Sequence, residues 1–201
     1  MILARMTYQF LIETYETERL KVLSVWSMFQ DADLPFRPNP QDTRGRSVRE
    51  QMVHQCVSEN LWFKNMLGID ITAQPLPTKE TRRGFMTQYA ADSSKRLDIL
   101  KSKPDPWWQE QASFFEVPRT RAWIMVRRIS HTSHHRGQQM AMLRMLGRDL
   151  HSNYGPTADT GGLMANHAPV IYPYEDEATL LADGPKRPLP GAGGKAVTER
   201  A

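Results

Sequence analysis

Four long stretches of the chain carry apolar residues at steps of three, four or seven, and proline or glycine separates them. The first spans residues 7–31, with Leu11, Tyr15, Val22, Trp26 and Phe29 on one stripe and Glu13, Glu16, Glu18 and Lys21 largely off it. Pro35, Pro38 and Pro40 then forbid helix and force an extended connection. The second stretch opens on Ser47-Val48-Arg49-Glu50, in which serine hydroxyl and glutamate carboxylate can each satisfy an orphan amide of the first turn. It runs to Leu67, and Gly68 is a natural stop. Val48, Met52, Val53, Cys56, Val57, Leu61, Trp62 and Phe63 form its broad apolar arc, with His54 at the edge. The third, over 79–102, is capped by Thr78 or Thr81 and buries Phe85, Met86, Tyr89, Ser93, Leu97 and Leu100; Pro104 and Pro106 end it. Residues 107–118 read as an ordered aromatic loop containing a short extended pair, its adjacent tryptophans packing or walling a pocket. The fourth runs over 119–146 to Gly147, threaded by a heptad-like row: Ile124, Arg128, His131, His135, Gln138, Met142 and Met145.

These patterns predict an all-α four-helix bundle over residues 1–160 and an irregular extension over 161–201. In the extension, 161–174 is expected to strap the bundle through Leu163, Met164, Val170, Ile171 and Tyr172; from Asp183 onward glycine, proline and charge predict a disordered tail. The 201 residues suffice for a sizeable core, and the lone cysteine, Cys56, excludes an internal disulfide. Cys56 reads as a small buried hydrophobe, a reactive thiol being the alternative. No membrane span is expected, and Glu13, Glu16 and Glu18 interrupt any signal-like apolar run, so the expectation is a soluble, cytoplasmic protein. Net charge is +4, with arginines dispersed along the fourth helix. Solvated faces explain most of that charge. An anionic small substrate is the next explanation, and nucleic acid the weakest, because no basic stripe alternates with aromatics.

Three of the six histidines fall within residues 130–139, SHTSHHRGQQ. On a helix His131 and His135 stack on one face, a pincer for a divalent ion, and His134 points aside. The rival is a solvated polar face. The flanking row of Ile124, Met142 and Met145 argues for the core, where neutral imidazoles without partners would cost several kcal/mol. A third ligand has to come from elsewhere: His54 is the only histidine before residue 131, and His151 and His167 are weaker candidates. Three imidazoles leave coordination positions open, the pattern of a catalytic site, at which water or a substrate thiol could lose its proton.

SVREQMVHQCVSENLW in the second helix, HTSHHRGQQMAMLRMLG in the fourth and NYGPTAD after it together resemble the DinB/YfiT-like superfamily over residues 7–160. The resemblance implies an up-down-down-up bundle, often a homodimer, with His54, His131 and His135 holding a divalent metal. It implies no coordination by His134, which with Arg128 is a candidate to support the site or touch substrate, and an outer supporting or packing role for Arg136 and Gln138. Arg128 or Arg136 would hold an anionic group. Zinc or nickel is favoured, although three imidazoles also suit copper or iron. The function implied is a metal-dependent enzyme of thiol S-transferase or hydrolase type, acting on a small molecule such as a low-molecular-weight thiol. A non-catalytic metal-binding stress-response protein is the alternative. The extension beyond Leu163 is outside the common pattern.

Overall fold

A computed structural model describes residues 7–155, 157–160 and 172–189. Four long helices build it: α1 (Gln9–Met28), α2 (Val48–Leu67), α3 (Arg82–Lys101) and, after a short α4 (Asp105–Gln109) and a hairpin, α5 (Arg121–Met145). The hairpin pairs β1 (Gln111–Phe114) with β2 (Val117–Thr120). It is the extended pair expected within 107–118, with a helical turn before it. α1 is shorter than 7–31, and a single 3₁₀ turn over Asp31–Asp33 follows it.

Local chemistry sets the boundaries. Ser47 and Glu50 form the reciprocal cap of α2, and Gly68 ends that helix at φ +70°, a conformation that glycine adopts without strain. Thr81 caps α3 by accepting from the Gly84 amide, and Thr120 caps α5 by accepting from that of Trp123.

Side-chain pairs fix the directions. Glu16 meets Lys101 and the Ser27 carbonyl meets Arg82, so α1 and α3 are antiparallel. Glu18 meets Ser133 and Trp26 meets Gln139, so α1 and α5 are parallel. Gln55 meets Gln139 and Ser58 meets Arg128, so α2 and α5 are antiparallel. The order is therefore up-down-down-up, with α1 diagonal to α2.

Two apolar clusters fill the ends of the bundle. One gathers Val22, Trp26, Met52, Phe85, Met86 and Leu143; the other gathers Leu11, Ile12, Phe63, Leu97, Leu100 and Ile124. Between them lies a polar layer centred on Glu59, which is 0% exposed. Its carboxylate accepts from Tyr15 Oη at 2.7 Å, Tyr89 Oη at 3.2 Å, Arg96 at 3.2 Å and Arg128 at 3.4 Å.

The heptad-like row is only partly buried. Ile124, Arg128, His135 and Met142 are inside, but Gln138 is exposed and Met145 is 62% exposed. A straight helix drifts by about 20° per heptad, so by the third heptad the inward positions have passed to Gln139 and Leu143. Leu61 is likewise exposed, and Gln51, Gln55 and Glu59 take the inner face of α2. Glu18, placed off the stripe of the first helix, is buried against Arg136.

Of the extension, residues 172–189 are described. They carry α6 (Glu177–Leu181), and Tyr174 and Leu180 join the first apolar cluster. Glu177 pairs with Arg19, and Asp183 with Arg82. Within the stretch expected as a tail, Asp183 and Lys186 find partners on α3 and α1, and the Arg187 amide meets the Pro173 carbonyl at 2.7 Å. Leu163, Met164, His167, Val170 and Ile171 of the strap, and the tail beyond Leu189, lie outside the described residues.

Candidate metal centre

α2 and α5 bring three histidines together. His54 projects from the middle of α2, and His131 and His135 project from successive turns of α5. One ligand atom from each lies within 4.8 Å of the other two. His131 Nε2 and His135 Nε2 are 3.1 Å apart. Nitrogens bound tetrahedrally at about 2.05 Å would lie roughly 3.3 Å apart, so this hydrogen-bonded pair is spaced close to what a shared divalent ion would require. The His54 ring centroid is 4.5 Å from that of His135 and 5.4 Å from that of His131, and His54 makes no hydrogen bond to another described residue. Half-buried Trp62 stacks on His131 at 5.5 Å and covers one side.

The hydrogen bonds around the rings run in one direction. Arg128 Nη1 can only donate, so His131 Nδ1 accepts from it at 3.3 Å and the ring proton sits on Nε2, facing His135. His135 donates from Nδ1 to Gln51 Oε1 at 2.9 Å. Gln51 then donates to Gln138 Oε1 at 2.6 Å, and Gln138 donates to His134 at 2.9 Å. Gln51 is therefore the residue that turns the His135 Nε2 lone pair toward the other two rings.

The rings are held neutral. Burial, followed by the charge of Arg128, lowers the pKa of His131 to about 4. Burial, followed by the neighbouring histidines, lowers that of His135 to about 3. Burial, with Arg46 and Arg128, lowers that of His54. Near neutral pH all three offer lone pairs, the form that a metal requires. Outside the rings opens a cavity of about 440 Å³ lined by Arg46, His54, Arg127, Ser130, His131, His134 and His135.

The other residues singled out from the sequence occupy distinct places. Arg128 is buried beneath the site, between His131, Ser58, Thr132 and Glu59. His134 is exposed at the rim. Arg136 is on the far side of α5, paired with Glu18 and 3.3 Å from Ser133, so it packs α5 on α1 and does not meet the histidines. Gln138 touches the site at its edge, through Gln51 and through His134 at the rim. His151 meets the Arg187 carbonyl at 3.0 Å, away from the cluster. Sequence reasoning missed Gln51, Arg46 and the Glu59 layer. For Gln51 and Glu59 a signal existed: Gln51, Gln55 and Glu59 recur at steps of four alongside Met52, Cys56 and Phe63, in a phase that buries them. Cys56 is buried and burial raises its thiol pKa well above the usual range, which leaves the packing reading.

The model of the DinB family matches residues 7–161. No curated protein matches the chain. Among solved structures, a DinB-like protein from Bacillus cereus is similar at TM-score 0.61 and 15% identity, covering 69% of this chain and 92% of that one. A DinB-like protein from Bacillus subtilis is similar at TM-score 0.55 and 12% identity, covering 70% and 94%. At such identities these likenesses speak to the fold alone.

Proposed function

Because this chain belongs to the DinB family, we propose that it binds one divalent metal ion through His54, His131 and His135 and uses it as an enzyme on a small molecule. The observation that carries this reading is the convergence of three neutral imidazoles, from two helices, at the floor of an open cavity. When bound, the ion would supply Lewis acidity to a substrate atom at a coordination position that the protein leaves free. Thiol S-transfer and hydrolysis are the two reaction types that fit such a site. Three imidazoles suit zinc or nickel.

The chain's own groups have definable tasks. Gln51 holds the His135 tautomer. If His131 were to ligate through Nε2, its ring proton would sit on Nδ1 and Arg128 would turn to its other partners, Ser58 at 3.1 Å and Thr132 at 3.1 Å. Trp62 keeps water from one face of His131. The polar layer beneath fixes Arg128 and with it the height of α5 against α2. We also read the chain as a cytoplasmic homodimer, supported by the family pattern; light scattering of the purified protein tests the second copy.

Metal analysis tests the centre directly. The protein should hold one divalent ion per chain; His135→Ala should abolish it, and His134→Ala should keep most of it. Wild-type protein that takes up no zinc or nickel would refute the reading. Turnover by the loaded protein across a panel of thiols, electrophiles and esters separates an enzyme from a metal binder.

A further inference from the structure

Arg128 and Arg136, the arginines expected from the sequence to hold an anionic group, are both buried and committed to Glu59 and Glu18. Two others stand at the cavity instead. Arg46, in the loop before α2, and Arg127, on α5, are exposed, and both line its walls. Neither is ion-paired or hydrogen-bonded to another described residue. Among the described residues, no carboxylate lines the cavity.

The balance of charge gives this arrangement its meaning. Three neutral imidazoles cancel none of the charge of a divalent ion. Among the described residues, the buried carboxylate beneath the site, Glu59, already faces Arg96 and Arg128, and Glu18 is committed to Arg136 and Lys21. A dication in the centre would therefore sit beside two guanidiniums with no free anion of the described residues opposite. The ligand has to bring the negative charge.

We infer that the cavity selects a small organic anion, with Arg46 and Arg127 gripping a carboxylate or another oxyanion group while the same molecule presents a donor atom to the metal. This rests on the metal reading above and adds the charge class of the substrate and the two residues that choose it. Guanidinium matches an oxyanion with two parallel donors, and both arginines are free to turn toward it.

The test compares mercaptoacetate with mercaptoacetamide, which differ in charge at the carbonyl end. Calorimetric titration of the zinc-loaded protein should show a preference for mercaptoacetate that shrinks by about tenfold or more in Arg46→Gln/Arg127→Gln, as expected for loss of charge-assisted hydrogen bonds. Because the lost partners are exposed charges, raising salt should erode the preference in the wild type and leave the variant unmoved. Both positions are at the surface, so the variant should fold and keep one metal per chain. A fully loaded variant with undiminished preference overturns the inference, since the metal alone would then be chelating the carboxylate. Wild-type protein without metal overturns the metal reading and this inference with it. Metal analysis and ligand preference thus fail separately.

Discussion

Gln51 decides which nitrogen of His135 can meet a metal. A ligating imidazole keeps its orientation by donating its other N–H to a fixed acceptor, and here the acceptor is a buried amide oxygen at 2.9 Å. Gln51→Leu removes the acceptor, frees the tautomer and leaves the ring to rotate. We expect metal affinity to fall about 10- to 100-fold with helix content unchanged, read by competition with a chromogenic chelator; an affinity within twofold of the wild type would mean that ring packing alone orients His135. The two histidines of α5 were legible because residues four apart share a face whatever the rest of the fold does. For Gln51 the helix phase could have signalled burial, but not its role, because its partner lies 84 positions away on another helix. Arg46 was hidden for the same reason: nothing in a proline-rich loop says which helix it will face.

Helices were legible in extent, and less so in rotation. Caps and stops at Ser47, Gly68, Thr81 and Thr120 are local chemistry, so they appear where the residues put them. The inward face of α5 depends on 3.6-residue drift accumulated over 25 residues, and a heptad row misplaces its last members. The hairpin between α4 and α5 departs most from local preference. Its two-residue turn holds Phe115 at φ +47° and Glu116 at φ +70°, where neither has the glycine or asparagine such a turn favours. Phe115 is 67% exposed, so little packing offsets this, although its ring does meet Trp62, which stacks on His131. Phe115→Asn with Glu116→Gly should therefore stabilise the protein by about 1 kcal/mol, raising Tm by a few degrees. A lower Tm would show that the exposed ring contributes more to the cover over the site than the strained turn costs.

Across the whole molecule, the charged layer couples the site to the core. Glu59 takes four donors, which is the full capacity of a carboxylate, and two of them are guanidiniums 1% exposed. Glu59→Leu strands both and should cost about 3–5 kcal/mol in urea unfolding; a loss under about 1 kcal/mol would mean that water reaches the layer. Hydropathy alone cannot announce such a layer: the phase of α2 marks Glu59 as buried, but its partners are set only when four helices bring them together. The histidines make a second claim on the stability of the fold, through pH. Unfolded, each titrates near 6.5; folded, His131 and His135 titrate near about 4 and about 3, and His54 is lowered too. Above pH 6.5 both states carry neutral rings and pH changes nothing through them. Below it the unfolded chain takes up protons that the folded one refuses, so unfolding gains and stability declines as pH falls toward the folded values. Most carboxylates remain ionised down to about pH 4.5, which leaves a window from about 6.5 to 4.5 that belongs mainly to the rings. In the presence of a chelator, ΔG of unfolding should decline steadily across that window, and a variant with glutamine at positions 54, 131 and 135 should lose most of the slope. Saturating zinc should lift the whole curve, because the ion binds the folded state in preference, and the lift should itself weaken toward low pH as protons compete for the same lone pairs. A chelated wild type with the same slope as the triple variant would mean that the rings are hydrated in solution and that their neutrality is not enforced by the fold.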